Sequence, residues 1–419
     1  MKFTPALFGH AEAALREMLR FIYPADAVLS HYFRTHRELG HADRGFVAET
    51  CFAVLRRRRS LGARCGDEVT PRRQLLAALF CLRGWNLREL APVMHESDAG
   101  WLAAAKAERG EAWSPAVRCD LPDWLYERLA ELGAEEVAAL AAALNRPAPL
   151  DLRVNPMKAE RADVLARLAA DGIAAEATAL SPLGIRLDEK PALSKHPLFV
   201  DGSIEVQDEG SQLLGFLVAP KRGEMVADFC AGAGGKTLLL GALMRSTGRL
   251  YAFDVAEKRL ANLKPRLARS GLSNVHPQRI ESEHDPKLKR LAGKFDRVLV
   301  DAPCSGLGTL RRNPDLKWRQ TPESVAELNA KQASILAAAA KLVKPGGRLV
   351  YATCSLLTAE NEAIVAGFLA AQPVFTAVDA PALLHRQGIA IDCAGEALRL
   401  LPHRHGTDGF FAAVLERQA

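Results

Sequence analysis

The sequence predicts an α/β protein: an open, doubly wound sheet fills the C-terminal half, preceded by an all-helical domain and a small α+β segment. Three observations predict it. Beyond residue 211, short β-rich runs alternate regularly with helical stretches; β-branched runs are almost absent from the first third; and between the two lie short strand-like runs around one helical stretch. Strand and helix in alternation imply a parallel sheet covered on both faces.

Taken in order, HAEAALREMLRFI, DRGFVAETCFAVLRRRR and PRRQLLAALFCLRGW repeat apolar residues at helical spacing, with Pro71 placed to start a helix. This all-helical domain is expected over 1–145, and the turn-forming stretch Asn145–Pro149 ends it. A small α+β segment is expected over 146–210, where LDLRVN, GIRLDE and SIEVQD read as strands around the helix RADVLARLAADG. In the third domain, 211–419, strands are expected at EMVADFC, RLYAFDV, DRVLVDAP, GRLVYATCS and GFFAAVLE. Helices between them include LLLGALM, AEKRLANLKPRLARSG and ESVAELNAKQASILAAAAKLV. Pro265 should kink or shorten the second of these.

Composition sets outer bounds. At 419 residues the chain exceeds one compact domain, and 49% hydrophobic with 25% charged residues suits a globular protein with real cores. The net charge of +6 permits an anionic partner without requiring one. The run Arg56–Arg59 reads equally as a solvated face or a contact surface. Eight cysteines without a C-x-x-C pair argue against a zinc site or a disulfide scaffold, and no metal is expected. Neither a secretory signal nor roughly 18 continuous apolar residues is seen, so a cytoplasmic monomer without membrane contact is expected.

Ligands of open α/β sheets sit beyond the carboxyl ends of the strands. The first such end is VADFCAGAGGKT, where Cys230 and Ala231 run into Gly232, Ala233, Gly234, Gly235 and Lys236; Asp254 closes the next strand at the spacing of a ribose-binding carboxylate. A P-loop would need glycine where Cys230 stands, and a dinucleotide fingerprint would need a third glycine at its proper place. The remaining fit is S-adenosylmethionine, which needs no pyrophosphate cradle. A tight strand-to-helix turn alone would not need three glycines.

Two later strands each end in a cysteine at the same crevice: Asp301, Pro303 and Cys304 follow one, and Thr353, Cys354 and Ser355 end the next. A lone strand-end cysteine is most often a small buried hydrophobe, but two facing one crevice are harder to dismiss. Carbon 5 of cytosine is a weak nucleophile. A thiolate added at carbon 6 makes it an enamine able to attack a methyl donor, so one hard step becomes two easier ones. A carboxyl group near ring nitrogen 3, such as Asp301, would hold the base. Loss of the carbon 5 proton then expels the thiolate, a step to which a second thiol can contribute. Lys236 is a candidate source of the positive charge that favours ionisation.

The motifs DFCAGAGGKT, DAPCSGLGTLRRNPDLKWR, ATCS followed by ENEAIV, and the terminal GTDGFFAAVL resemble the RsmB/Nop/Sun family of RNA cytosine-5 methyltransferases, from about LDLRVN to the C-terminus. The resemblance implies a Rossmann-like class I methyltransferase sheet. It also implies Cys354 as nucleophile, Cys304 as the residue that helps release product, and Asp301 and Lys236 against the target base. Residues Cys230 to Lys236 with Asp254 would hold S-adenosylmethionine. The family usually meets the adenine with an aspartate after the third strand; HPQRIESEHD has none there, and Glu281 is the candidate. The family's Ala-Pro is Gly232-Ala233 here. The helical domain resembles the NusB-like RNA-binding domain of bacterial ribosomal RNA members, chiefly in ADRGFVAETCFAVLR. In the family an RRM-like segment borders the same cleft, which would place Arg153, Asn155, Gln207 and Asp208 there; the alternative is that these four are surface polar residues.

Ribosomal RNA is therefore the favoured partner, with transfer RNA open. Trp318 among Arg311, Arg312, Lys317 and Arg319 is a candidate stacking platform and phosphate grip for an unstacked strand, or else a structural anchor. Two alternatives compete. A DNA cytosine methyltransferase would use Cys304 as nucleophile and lacks the Thr-Cys-Ser strand end. A non-catalytic RNA-binding assembly factor would have no need of both cysteines, Asp301 and the glycine loop.

Overall fold

Helical spacing of apolar side chains builds the N-terminal unit of the computed structural model, which describes residues 3–419. Helix Pro5–Met18 buries Leu7, Phe8, Ala11, Ala14, Leu15 and Met18, a stripe with the helical period. It starts where Thr4 accepts a hydrogen bond from the Leu7 N–H and Pro5 takes the first position, whose N–H would be unpaired anyway. Thr70 and Pro71 do the same for Pro71–Ala77. Val47, Cys51, Val54 and Leu55 of helix His41–Arg56 complete the core with Leu75, Leu76 and Leu79.

This unit comprises the chain to Pro147 together with Thr309–Pro322. The second stretch corrects the reading of its basic cluster as an RNA grip. The last carbonyls of helix His41–Arg56 have no partner within the helix. Trp318 Nε1 donates to Leu55 O at 2.8 Å, and Lys317 Nζ donates to Arg56 O at 2.8 Å and to Asn145 Oδ1 at 2.9 Å. Asp315 Oδ2 accepts from Ala25 N at the start of helix Ala25–Thr35. Lys317 is 2% exposed and Arg311 7% exposed, so neither can meet a phosphate from solvent. Trp318 is an anchor with the Arg58 guanidinium over its ring, and Arg319 pairs with Asp315 at 3.4 Å. Arg312 stays half-exposed. The Arg56–Arg59 run is likewise structural: Arg57 pairs with Asp120, Arg59 pairs with Asp123, and Arg56 donates to Arg311 O.

Burial pushes the Lys317 ammonium down to about 7, against the pull of Asp120. The unfolded chain, with an ordinary lysine, therefore binds more protons between pH 7 and about 10.4, and stability rises with pH over that window. All five tryptophans (Trp85, Trp101, Trp113, Trp124 and Trp318) lie in this unit, so their fluorescence reports its unfolding alone. Urea midpoints of the native protein minus those of Lys317→Met are expected to grow from pH 7 to 10. A constant difference would show that Lys317 is not the titrating group.

The second unit, Ala148–Gly308 with Glu323–Ala419, holds two sheets. The smaller comprises β1 (Leu150–Val154), β2 (Ala175–Ala177), β3 (Gly184–Leu187) and β4 (Ile204–Val206), antiparallel in the order β2-β3-β1-β4. Its core joins Leu152, Val154, Ile185 and Ile204 to Val164 and Leu168 of helix Arg161–Ala170.

The larger sheet contains β5 (Met225–Asp228), β6 (Arg249–Asp254), β7 (Val275–Arg279), β8 (Phe295–Asp301), β9 (Val343–Thr353), β10 (Phe375–Val378), β11 (Leu398–Leu400) and β12 (Phe410–Arg417). The order is β10-β12-β9-β8-β5-β6-β7, with β11 paired to β12. Strands β5 to β9 are parallel, as the alternating pattern predicts. GFFAAVLE is the exception, because β12 runs antiparallel to β9, β10 and β11. A parallel return needs a crossover of about a dozen residues or more, usually a helix, and the short link from β11 to β12 holds only the turn of helix Pro402–His405. Strand β7 gives a weak sequence signal because His276, Pro277 and Gln278 are atypical; it is an edge strand, where proline costs no sheet pairing. Helix Glu257–Ser270 continues past Pro265, correcting the expected shortening. No helix among the described residues is long and apolar enough to cross a membrane.

Candidate active site

The chain leaves β5 toward β6 on one side and returns in β8 on the other, so the strand order reverses beside β5. Ligands of open α/β sheets bind at such a point. A cavity of about 790 Å³ opens there, lined by the loop after β5 with Asp228, Asp254, Ile280, Glu283, Asp301, Cys304 and Cys354. It is large enough for a nucleoside-sized ligand.

The glycine loop is held by its own backbone and by Asp254. Gly232 N donates to Asp254 Oδ2 at 2.8 Å, and Ala256 N donates to Oδ1 at 2.7 Å. Gly234 has φ +82°, and a Cβ there would sit 2.2 Å from Leu263 Cδ1, so glycine is required on both counts. Helix Gly235–Leu243 begins directly after it. Asp228 is buried: Thr237 Oγ1 donates to its Oδ2 at 2.7 Å, while Oδ1 has no hydrogen-bond partner. Burial pushes this carboxyl up to about 7, with the neighbouring charge of Asp301 adding to the rise. An unpaired, buried acceptor bordering the cavity is suited to a cationic ligand group.

Lys236 Nζ donates to Asp301 Oδ2 at 2.6 Å. Burial opposes the ammonium, but the Asp301 carboxylate outweighs it and holds Lys236 above its ordinary value. Next to Asp301, Cys304 Sγ lies 3.3 Å from Cys354 Sγ. The hydrogen bond with Cys354 and burial push the Cys304 thiol well up, so Cys304 keeps its proton. Behind the cysteines, Gly308 N donates to Cys354 O at 2.8 Å and Gly409 N to Gly308 O at 2.8 Å. A Cβ at Gly308 would lie 2.1 Å from Gly409 O, and one at Gly409 would lie 2.9 Å from Gly308 Cα, which accounts for Gly308 in DAPCSGLG and Gly409 in GTDGFF.

The structure brings together Cys230, Ala231, Gly232, Ala233, Gly235, Lys236, Asp254, Asp301, Cys304 and Cys354, all of which border the cavity. Glu281 does not: it is exposed, and its N–H donates to Asp285. Glu283 borders the cavity instead, its carboxylate accepting from Ser334 Oγ at 2.6 Å. The edge strand β7 ends before Glu281, and the loop beyond it turns the alternate residue inward. Of the α+β segment's polar residues, Gln207 borders the cavity. Arg153 donates to Gln207 and to Gly235 O, tying the small sheet to the glycine loop. Asn155 donates to Gly202 O and Ser270 O, and Asp208 accepts from Asp408 N and Gly210 N. These three are structural ties. Arg259, Arg266 and Lys331 also border the cavity. They come from helix faces and carry no motif, so sequence reading missed them.

Known proteins bear on this geometry. Residues 215–416 match the family model described as 16S rRNA methyltransferase RsmB/F, and residues 121–194 match an RsmF/B-like ferredoxin-like domain. A protein of Synechocystis named probable ribosomal RNA small subunit methyltransferase B is 34% identical, covering 96% of this chain and 97% of its own. The ribosomal RNA small subunit methyltransferase B of Sodalis glossinidius is 37% identical over 71% of this chain and 66% of its own. Among solved structures, a methyltransferase homologue from Pyrococcus horikoshii superposes with a TM-score of 0.62 at 32% identity, over 72% of this chain and 97% of its own.

Proposed function

The chain belongs to the RsmB/F family of S-adenosylmethionine-dependent ribosomal RNA methyltransferases, and from that premise we propose that it methylates carbon 5 of a cytosine through a covalent adduct on Cys354. The observation that carries this reading is the pair of sulfurs 3.3 Å apart beside the Lys236–Asp301 ion pair, at the rim of the cavity.

When bound, S-adenosylmethionine supplies an electrophilic methyl group. The glycine loop and Asp254 suit its ribose, and the unpaired Asp228 Oδ1 suits its ammonium. Cys354 adds through its sulfur to carbon 6 of the base. As the sulfur bonds to carbon 6, the Lys236 ammonium passes a proton through the Asp301 carboxyl to ring nitrogen 3, and carbon 5 takes the methyl group. That proton returns by the same path when the sulfur leaves. Carbon 5 then loses its proton to solvent, the carbon–sulfur bond breaks, and Cys354 leaves as a thiolate. Cys304, still protonated, donates its S–H to that departing sulfur. A thiol that keeps its proton suits release rather than attack, so the environment supports the same division of roles as the family resemblance. RNA of the small ribosomal subunit is the proposed substrate, its target base unstacked at a cost of a few kcal/mol.

Two measurements test this reading. Bisulfite sequencing of ribosomal RNA from a strain lacking the gene is expected to show one cytosine newly converted; unchanged protection at every cytosine would overturn it. By calorimetry, Asp254→Ala should weaken S-adenosylmethionine binding at least tenfold, about 1.4 kcal/mol, while Glu281→Ala leaves it unchanged. A loss confined to Glu281→Ala would reinstate that residue.

A further inference from the structure

Neither the nucleophile nor the cofactor loop accounts for a fully buried carboxylate beneath the cysteines. Glu360 follows β9 in the Thr358–Glu360 turn and is 0% exposed. Its Oε1 accepts from Ser305 N at 2.8 Å and from Gln332 Nε2 at 2.9 Å. Its Oε2 accepts from the hydroxyls of Ser305, at 2.5 Å, and Ser355. Ser305 follows Cys304, and Ser355 follows Cys354. Gln332 also donates to Pro303 O at 3.0 Å, and Tyr351 OH donates to Glu360 O at 2.7 Å. Four donors and no acceptor fit an ionised carboxylate, which can only accept.

Such a bracket would hold two loops even if it were neutral. Burying a charge is costly unless it is compensated, so a structural brace alone gives no reason for a carboxylate here. The reason lies in the neighbouring thiols. Glu360 repels a negative charge on Cys304, which the bond with Cys354 and burial already disfavour, whereas the ammonium of Lys236 attracts a negative charge on Cys354. Tyr351, also near Cys304, is held neutral by burial, and Asp301 is tied up by Lys236 at 2.6 Å.

We infer that Glu360 is a positioning residue that keeps the shared proton of the cysteine pair on Cys304, so that Cys354 is the sulfur free to attack. This rests on the proposed roles of the two cysteines. It assigns their order to opposite charges on either side of a 3.3 Å sulfur contact.

The test is competitive alkylation of the full-length protein with iodoacetamide from pH 6 to 9, reading the Cys304 and Cys354 peptides by mass spectrometry. The native protein is expected to label Cys354 faster than Cys304, because the thiol that keeps its proton is the slower nucleophile. In Glu360→Gln, Cys304 labelling should start at lower pH and the preference should fall about tenfold. Glu360→Asp, which retains the charge, should restore most of the preference. An unchanged ratio in a Glu360→Gln protein that still binds S-adenosylmethionine makes Glu360 a mere brace and overturns the inference. If Glu360→Gln does not fold, Gln332→Met leaves the carboxylate less compensated; the preference for Cys354 must then increase, and an unchanged ratio again overturns it. Faster labelling of Cys304 in the native protein would sink the assignment of attack to Cys354, and the inference with it. The native order with an unaltered variant ratio sinks the inference alone.

Discussion

Cys354→Ala is expected to abolish both methyl transfer and any covalent RNA complex, whereas Cys304→Ala should retain a covalent complex that survives denaturation and accumulates in place of product. Without the sulfur at carbon 6, carbon 5 stays a weak nucleophile and the reaction loses the pathway that divides its barrier. A loss of 10³-fold or more, about 4 kcal/mol of barrier, is the scale to expect. The two variants should differ in kind because the sulfurs differ in surroundings. The Cys304 thiol, pushed up by its bond with Cys354, is available to donate to a leaving sulfur. Removing it takes a hydrogen bond from the departing thiolate and lets adduct build up. Incubation with labelled small-subunit RNA and S-adenosylmethionine, followed by a denaturing gel, separates the cases. Methylation by Cys354→Ala would sink the assignment of roles, and a Cys304→Ala protein that turned over normally without adduct would remove Cys304 from the release step.

Lys236→Met should cost the next largest factor, about 10²-fold in turnover, or about 2.7 kcal/mol of barrier. Lys236 is the cation bonded to Asp301 at 2.6 Å, with Asp228 close by, and its ring contact with Phe410 lies at 5.9 Å. Its loss leaves Asp301 with an uncompensated charge facing the base and removes a charge that holds the Asp228 carboxyl down. Asp228 already titrates at about 7, so cofactor binding that needs its ionised form should strengthen as pH rises through neutrality. In Lys236→Met that rise should move to higher pH, since the missing cation no longer favours the carboxylate. Asp301→Asn should instead lower the Lys236 ammonium, because the strongest opposition to burial is then gone and only the weaker pull of Asp228 and Cys354 is left. Turnover by Lys236→Met within about threefold of the native rate would show that the ion pair is scaffolding only.

Much of this was legible in one dimension because it is local. Strand-then-glycine at Met225–Asp228 and Gly232–Gly235 records a tight turn at a strand end, and β8 and β9 each record their cysteine where pairing stops. Buried parallel strands are apolar on both faces and stand out in any sequence. The weak signals lay where the physics is weak or distant: β7, an edge strand containing Pro277, and Glu283, turned inward by a loop whose course no periodicity describes. The basic cluster around Trp318 was misleading for a related reason. Composition shows charge, but only packing shows that Lys317 and Trp318 close the carbonyl end of a helix some 260 residues away in the chain.

By itself, then, the sequence determined that two thiols, a carboxylate and a glycine loop stand at strand ends of an α/β sheet. Those facts follow from neighbouring residues and from the alternation of strand and helix. Only the tertiary structure decided what distinguishes the two cysteines. Lys236 reaches them from the helix after β5 and Glu360 from the turn after β9, so the opposed charges come from segments more than 100 residues apart. Electrostatic interaction depends on separation in space and on burial, and neither can be read from separation along the chain.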